Sequence, residues 1–267
     1  MDTAILIVGL VLLVVAFLAG LWAGRRGGAW RNVAIGLAVA TILVRGLFRY
    51  FPDVEYALVF SDFYASIRAW WAFPACLLFL GMAVLQTRRR WLRMTVEVLA
   101  GFMFIYFARV WIAGIGTDYR SLKSVPDPAG ICLQSSDYSC GAAAAASLLA
   151  LAGFNTTERE MAELCGTNAE FGTDEFAVCR GLRRFLAGRG CRVEIERSGW
   201  EQLERTQLPV MATTRLTFLI DHWVVIKKWS GDSVTVIDPL RGEVEIARPA
   251  FERKWRCVLV TLHCPGQ

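Results

Sequence analysis

The chain has 267 residues, 55% of them hydrophobic, with a mean hydropathy of +0.41 and a formal net charge of +5. Its length admits one or two domains, and the hydropathy is high for a purely soluble protein. No pattern of interleaved aromatic and basic residues is present and the excess Arg lies in two short clusters between apolar segments, so a nucleic-acid surface is excluded and the charge reads as membrane topology information.

Nearly all long apolar runs precede residue 117. The first, from Thr3 to Gly24, carries no charge between Asp2 and Arg25. It is long enough to cross a hydrocarbon core of about 30 Å at about 1.5 Å per residue. A signal peptide carries its basic flank before the apolar core; here Arg25 and Arg26 follow it, so a retained helix is expected. The other segments are 30–48, 70–86 and 91–116, with Trp30, Trp70, Trp71 and Trp91 at their ends, where rings anchor at a membrane interface. The third is the shortest and is interrupted by Pro74. Four spans are expected, forming an all-α transmembrane module over residues 1–117.

The first connection holds Arg25, Arg26 and Arg31, and the third holds Arg88, Arg89, Arg90 and Arg93. The second holds Asp53, Glu55 and Asp62 against Arg49 and Arg68. The positive-inside rule puts connections one and three in the cytoplasm, so both termini and everything after Gly116 are expected outside it.

Residues 118–130 turn polar, and Pro126 and Pro128 rule out a continuing helix, so this stretch is expected to be a linker. Residues 131–267 are long enough for one independent core. Ser139 is the expected N-cap of CGAAAAASLLALAG, with Gly153 to end that helix. Thr157 and Glu160 form a capping-box pattern before a second helix, and a third helix runs from about Thr173 to Gly188 or Gly190. Strand-like segments follow: CRVEIE, LPVMATT, HWVVIKKW, SVTVIDP, GEVEIA and CVLVTLH, with SGD marking a hairpin between the third and fourth. Helices followed by antiparallel strands indicate an α+β domain.

A thiolate nucleophile needs a low pKa, a base within reach and donors for a developing oxyanion. Cys140 opens a helix, where the dipole and unused backbone N–H groups favour an anion, and Gly141 and the Ala142–Ala146 run keep its surroundings small. A Cys before an Ala-rich helix is equally a small core residue. The chain has only two His. His263 lies near the C-terminus, where fraying is expected, so His222 at the start of HWVVIKKW is the candidate base by elimination. Asp238 ends the next strand of the hairpin, where pairing brings it towards His222 to fix the imidazole tautomer; Asp-Pro turn chemistry is its other use. Asp221 points to the opposite face. Gln134, in a loop six positions before Cys140, is the candidate oxyanion donor.

Together, GICLQSSDYSCGAAAAASLLALAG, LPVMATT, DHWVVIKKW, VIDPLRG and FERKW resemble the bacteriocin-processing, double-glycine-type cysteine endopeptidases over about residues 128–262. The resemblance implies a papain-like fold, with Cys140 as nucleophile, His222 as base, Asp238 as orienting carboxylate and Gln134 as oxyanion donor. Ser139 precedes the nucleophile where Asp is commoner, four apolar helices precede the domain, and no ATP-binding motif follows. The expected activity is that of a membrane-anchored cysteine endopeptidase; a non-catalytic peptide-binding domain and a thiol acyltransferase or amidase are the alternatives.

Seven cysteines lie beyond residue 131; without Cys140 six remain, enough for up to three disulfides in an oxidising compartment. No pair has CxxC spacing and His is scarce, so neither a metal nor any other cofactor is expected. The expected partners are a peptide or protein substrate, the lipid bilayer and a separate exporter, at a bacterial inner membrane with the peptidase domain extracytoplasmic.

Overall fold

The computed structural model describes residues 3–265 apart from 27, 60, 62–63, 65–67, 69–70 and 218–219. The chain forms two compact units: Met1–Phe51 with Ser66–Ile115, and Pro52–Ala65 with Gly116–Gln267.

The first unit is helical: α1 (Thr3–Arg26), α2 (Gly28–Tyr50), α4 (Phe73–Gln86) and α5 (Arg90–Ile115), with α3 (Pro52–Val59) falling in the second unit. Among the described residues three helices, α1, α2 and α5, are long and apolar enough to cross a membrane. The expected span 70–86 is shorter than that. Pro74 does not interrupt a helix but sits in the first turn of α4, where its missing N–H costs nothing. The resulting 14 residues rise only about 21 Å. Trp70 and Asp62 lie outside the described residues.

Leu13, Leu77, Leu80, Ala100 and Phe107 form the inner core of this unit. Helices α1 and α4 cross at two glycines: a Cβ at Gly20 would fall on the Leu78 carbonyl, and one at Gly81 on the Phe17 carbonyl. Close backbone approach through small residues is how helices associate where water provides no driving force. Val11, Leu43, Val98 and Ile105 face outward, an apolar surface of the kind lipid covers.

The second unit is α+β. Helices α6 (Cys140–Leu151), α7 (Glu158–Cys165) and α8 (Glu175–Phe185) precede β1 (Arg192–Arg197), α9 (Trp200–Leu203), β2 (Val210–Arg215), β3 (Asp221–Ser230), β4 (Ser233–Asp238), β5 (Gly242–Ala247), α10 (Arg248–Glu252) and β6 (Trp255–His263). The six strands form one antiparallel sheet ordered β1-β6-β2-β3-β4-β5, with the expected β3–β4 hairpin turning between Ser230 and Ser233.

Alternation along the strands gives the sheet two buried faces. Met211, Trp223, Val225, Ile237, Val260 and Leu262 pack with α6–α8, while Val210, Ala212, Val224, Ile226, Val234 and Leu259 pack with Leu203 and Phe251. Helix α6 is buried from Gly141 to Leu149, so its uniform alanines are what allow it to lie inside a three-layer arrangement. Thr157 caps α7 by accepting from the Glu160 N–H at 3.1 Å, and Gly166 ends it in the left-handed region.

Three segments depart from expectation. Residues 118–130 are part of this unit rather than a free linker: Leu122 is buried in the main core and the Ser124 carbonyl accepts from the Glu158 N–H at 3.0 Å. The prolines stop a helix without preventing extended chain from packing. Helix α3 also joins the unit. The Tyr56 hydroxyl donates to the Val193 carbonyl at 2.8 Å, and the rings of Tyr56 and Tyr64 meet Phe176 edge-on at 5.9 and 6.0 Å. Finally, His263 is not frayed: it pairs with Arg192, next to a disulfide between Cys191 and Cys264.

That is the single disulfide among the described residues, against the three for which there were cysteines enough. Cys132, Cys165 and Cys179 are buried core residues, where burial pushes the Cys132 and Cys165 thiols to about 12 and the Cys179 thiol well above its ordinary value.

Candidate active site

Cys140 is the first residue of α6, half-buried, and its N–H belongs to the first turn, which the helix itself does not use. Ser139 occupies the N-cap position, fully buried, but makes no capping hydrogen bond. Its hydroxyl instead donates to the Ser136 carbonyl at 2.8 Å and accepts from the Ser136 N–H at 3.1 Å. The serine therefore shapes the loop before the cysteine rather than the helix after it.

His222 is buried, and its Nε2 lies 2.7 Å from Asp238 Oδ1. The Cys140 side chain also acts on this ring, favouring its charged form. With Nε2 taken by the carboxylate, Nδ1 is the ring nitrogen left for the sulfur. Three of the four expected site residues thus come together, brought from a helix start, a strand start and a strand end.

Burial opposes charge on this imidazole, but the hydrogen bond to Asp238 and the neighbouring Cys140 side chain outweigh it and raise the His222 pKa from 6.5 to about 9. Burial likewise opposes charge on Asp238. The bond from His222 and the Leu240 N–H at 2.9 Å outweigh it and hold the carboxyl below its usual 3.8. Asp238 therefore serves both readings of its sequence context, since one oxygen closes an Asx turn and holds the imidazole. Asp221, as expected, faces elsewhere and pairs with Arg256 at 2.7 Å.

Gln134 is held differently from a free donor. Its Nε2 donates to the Ser136 carbonyl at 2.8 Å, while its Oε1 is buried and has no hydrogen-bond partner among the described residues. Its backbone N–H donates to the Pro239 carbonyl at 2.9 Å, which ties this loop to the turn that carries Asp238.

Two groups escaped the sequence reading. The fully buried Glu158 accepts from the Ser135 N–H at 2.7 Å, the Ser135 hydroxyl at 2.5 Å and the Ser124 N–H at 3.3 Å, anchoring the loop beside Gln134. Glu in the first turn of a helix gives no hint of such a distant duty. The second group packs on Gly141. A Cβ there would lie 2.8 Å from Thr173 Cβ and 3.1 Å from Trp223 Cδ1, and the Trp223 indole donates to the Thr173 carbonyl at 2.8 Å. Glycine after the cysteine is thus needed for packing against the residue that follows His222. Among the described residues no cluster of His, Cys, Asp and Glu is arranged to hold a metal ion.

The chain is similar to an uncharacterized protein of Methanothermobacter thermautotrophicus, 34% identical over 124 residues that cover 46% of this chain and 80% of the relative. It is 27% identical over 155 residues to FapD of Pseudomonas aeruginosa, a probable functional amyloid protease, covering 55% of this chain and 67% of that protein. It is also 27% identical over 133 residues to LagD of Lactococcus lactis, a lactococcin-G-processing and transport ATP-binding protein, covering 49% of this chain but only 18% of LagD. Residues 129–266, just over half of the chain, match the Peptidase C39 family, and the chain belongs to that family of bacteriocin-processing, double-glycine-type peptidases with a papain-like α+β fold.

Proposed function

We propose that this protein is a membrane-anchored cysteine endopeptidase that cleaves a peptide or protein substrate near the bilayer. The carrying observation is the hydrogen bond of 2.7 Å between His222 and Asp238, on a ring whose charged form the Cys140 side chain also favours. In this reading His222 takes the Cys140 proton, and Asp238 holds the resulting imidazolium in orientation. The thiolate attacks the scissile carbonyl. The carbon–nitrogen bond breaks as the leaving amine takes the proton from His222, and water then hydrolyses the thioester with His222 as base.

The oxyanion is stabilised by the Cys140 N–H and by Gln134. One Nε2 proton of Gln134 is used by Ser136; the second is the one the oxyanion would take. The names of LagD and FapD, one a processing and transport protein and the other a protease, favour a peptide substrate and make a separate exporter a natural partner.

For placement, we read α1, α2 and α5 as crossing the membrane, and the shorter α4 as crossing it where the bilayer thins around it, with the Arg-rich connections in the cytoplasm and the peptidase unit outside it. Two observations support this. Residues 52–65 belong to the same unit as the peptidase fold, and two crossings by α4 and α5 would return the chain to that side. The Cys191–Cys264 disulfide suits an oxidising compartment. Tethering would confine enzyme and membrane-bound substrate to two dimensions and raise their effective concentration.

Treating the full-length protein with a peptide bearing a thiol-directed electrophile should label Cys140, and Cys140→Ala should abolish both labelling and hydrolysis of a Gly-Gly-containing peptide. Labelling that persists unchanged in Cys140→Ala would overturn the assignment.

A further inference from the structure

Residues 167–173 fold back on themselves beside the site. Asn168 and Gly172 exchange backbone hydrogen bonds of 2.9 and 2.8 Å, and Asn168 Oδ1 accepts from the Glu170 N–H at 2.8 Å and the Phe171 N–H at 3.2 Å. Phe171, at the tip, is 52% exposed. The base of this lip is built onto the nucleophile's own neighbours. Thr173 packs on Gly141 and takes the Trp223 indole, its hydroxyl pairs with that of Thr167 at 2.8 Å, and a Cβ at Gly172 would lie 3.3 Å from the Tyr138 carbonyl.

The other support comes from the stretch that directly follows α5. The Thr117 hydroxyl, buried at 8% exposure, accepts from the Ala169 N–H at 3.0 Å, and the Tyr119 hydroxyl donates to the Thr167 carbonyl at 2.9 Å. A second connection between apolar helices reaches the same region, since Tyr56 and Tyr64 close on Phe176, just beyond the lip. Thr117 and Tyr119 precede the stretch 129–266 that matches the family, so family membership does not require them.

We propose that Thr117 and Tyr119 are positioning residues: they brace the 167–173 lip so that it forms one wall of the peptide-binding cleft beside Cys140. This rests on Cys140 being the nucleophile. Thr117 and Tyr119, which precede the family-matching stretch, are thereby part of the cleft's construction rather than of a slack tether. The lip's contacts run to Gly141 and Tyr138, so loosening it changes how a peptide is held while leaving thiol chemistry intact.

The test uses the full-length protein in lipid nanodiscs, with Thr117→Val, Tyr119→Phe and the double variant, which delete hydroxyls and keep shape. Hydrogen exchange at residues 168–173 is read together with Cys140 alkylation by iodoacetamide and by a Gly-Gly peptide electrophile. Each single variant should speed exchange in the lip roughly fivefold, the loss expected from one hydrogen bond. The double variant should slow the peptide electrophile by about the same factor or more, through weaker saturation, with iodoacetamide unchanged and Thr117→Ser behaving as native. Unchanged lip exchange overturns the proposal. So does a loosened lip with undiminished peptide reactivity, and so does a parallel loss of both alkylation rates with exchange raised throughout the domain. Absence of Cys140 labelling in the native protein would instead sink the nucleophile assignment, while the exchange arm still decides whether the brace exists.

Discussion

Replacing Asp238 with Asn keeps the shape of the side chain and an acceptor for the imidazole but withdraws the negative charge. In the native protein His222 is raised from 6.5 to about 9 although burial opposes its charge. That elevation corresponds to about 3 kcal/mol of preference for the imidazolium, held jointly by Asp238 and Cys140. Assigning half or more of it to the carboxylate, Asp238→Asn should lower the imidazolium pKa by about one to two units. The alkaline limb of peptide hydrolysis, where the imidazolium is lost, should move down by the same amount, while activity near pH 6 falls much less because Asn still orients the ring.

Stability supplies an independent reading. The raised His222 pKa stabilises the fold fully below 6.5 and loses that contribution as pH rises through about 9. The lowered Asp238 pKa stabilises it above 3.8 and loses that contribution as pH falls through the still lower folded value. The urea-unfolding difference between native and variant should therefore be largest between about pH 4 and 6.5 and fade towards pH 10. An unmoved alkaline limb, with the same stability difference at pH 5 and pH 10, would refute the coupling of His222 to Asp238.

Other expectations follow from the packing and the loop anchors. Gly141→Ala must push Thr173 and Trp223 aside, so it should destabilise the peptidase unit by about 1–3 kcal/mol in thermal unfolding; an unchanged melting temperature would contradict the contact. Gln134→Ala should lower kcat by about 100- to 1,000-fold with little change in KM, and a loss confined to KM would remove Gln134 from oxyanion stabilisation. The Cys191–Cys264 disulfide links residues 73 apart, so Cys191→Ser with Cys264→Ser should cost about 4 kcal/mol in denaturant unfolding, whereas an unaltered midpoint would mean the bond contributes nothing.

The clustering of Cys140, His222 and Asp238 was legible because each carried a local signal that agreed with a distant one. Cys140 before a small-residue helix, a scarce His at a strand start and an Asp closing the adjoining hairpin strand specify one another through antiparallel geometry. What escaped was contact between remote segments with no periodic pattern. Tyr56 reaches Val193 and Glu158 reaches Ser135, yet nothing in a polar connection or a helix's first turn names such partners. The stretch around Leu122 read as a linker because proline forbids helix, although extended chain buries a leucine equally well. Counting cysteines overstated the disulfides, since Cys132, Cys165 and Cys179 serve as small apolar side chains in the core.

The strand order has a temporal consequence. β6 lies between β1 and β2, and β2 in turn carries β3 with His222. Until residues 255–263 have been synthesised and threaded into that slot, β1 has no neighbour and β2 presents a bare edge, so the imidazole's platform is incomplete although Cys140, His222 and Asp238 already exist. Assembly of the platform under Cys140, His222 and Asp238 therefore waits on a strand that follows all three of them in the chain.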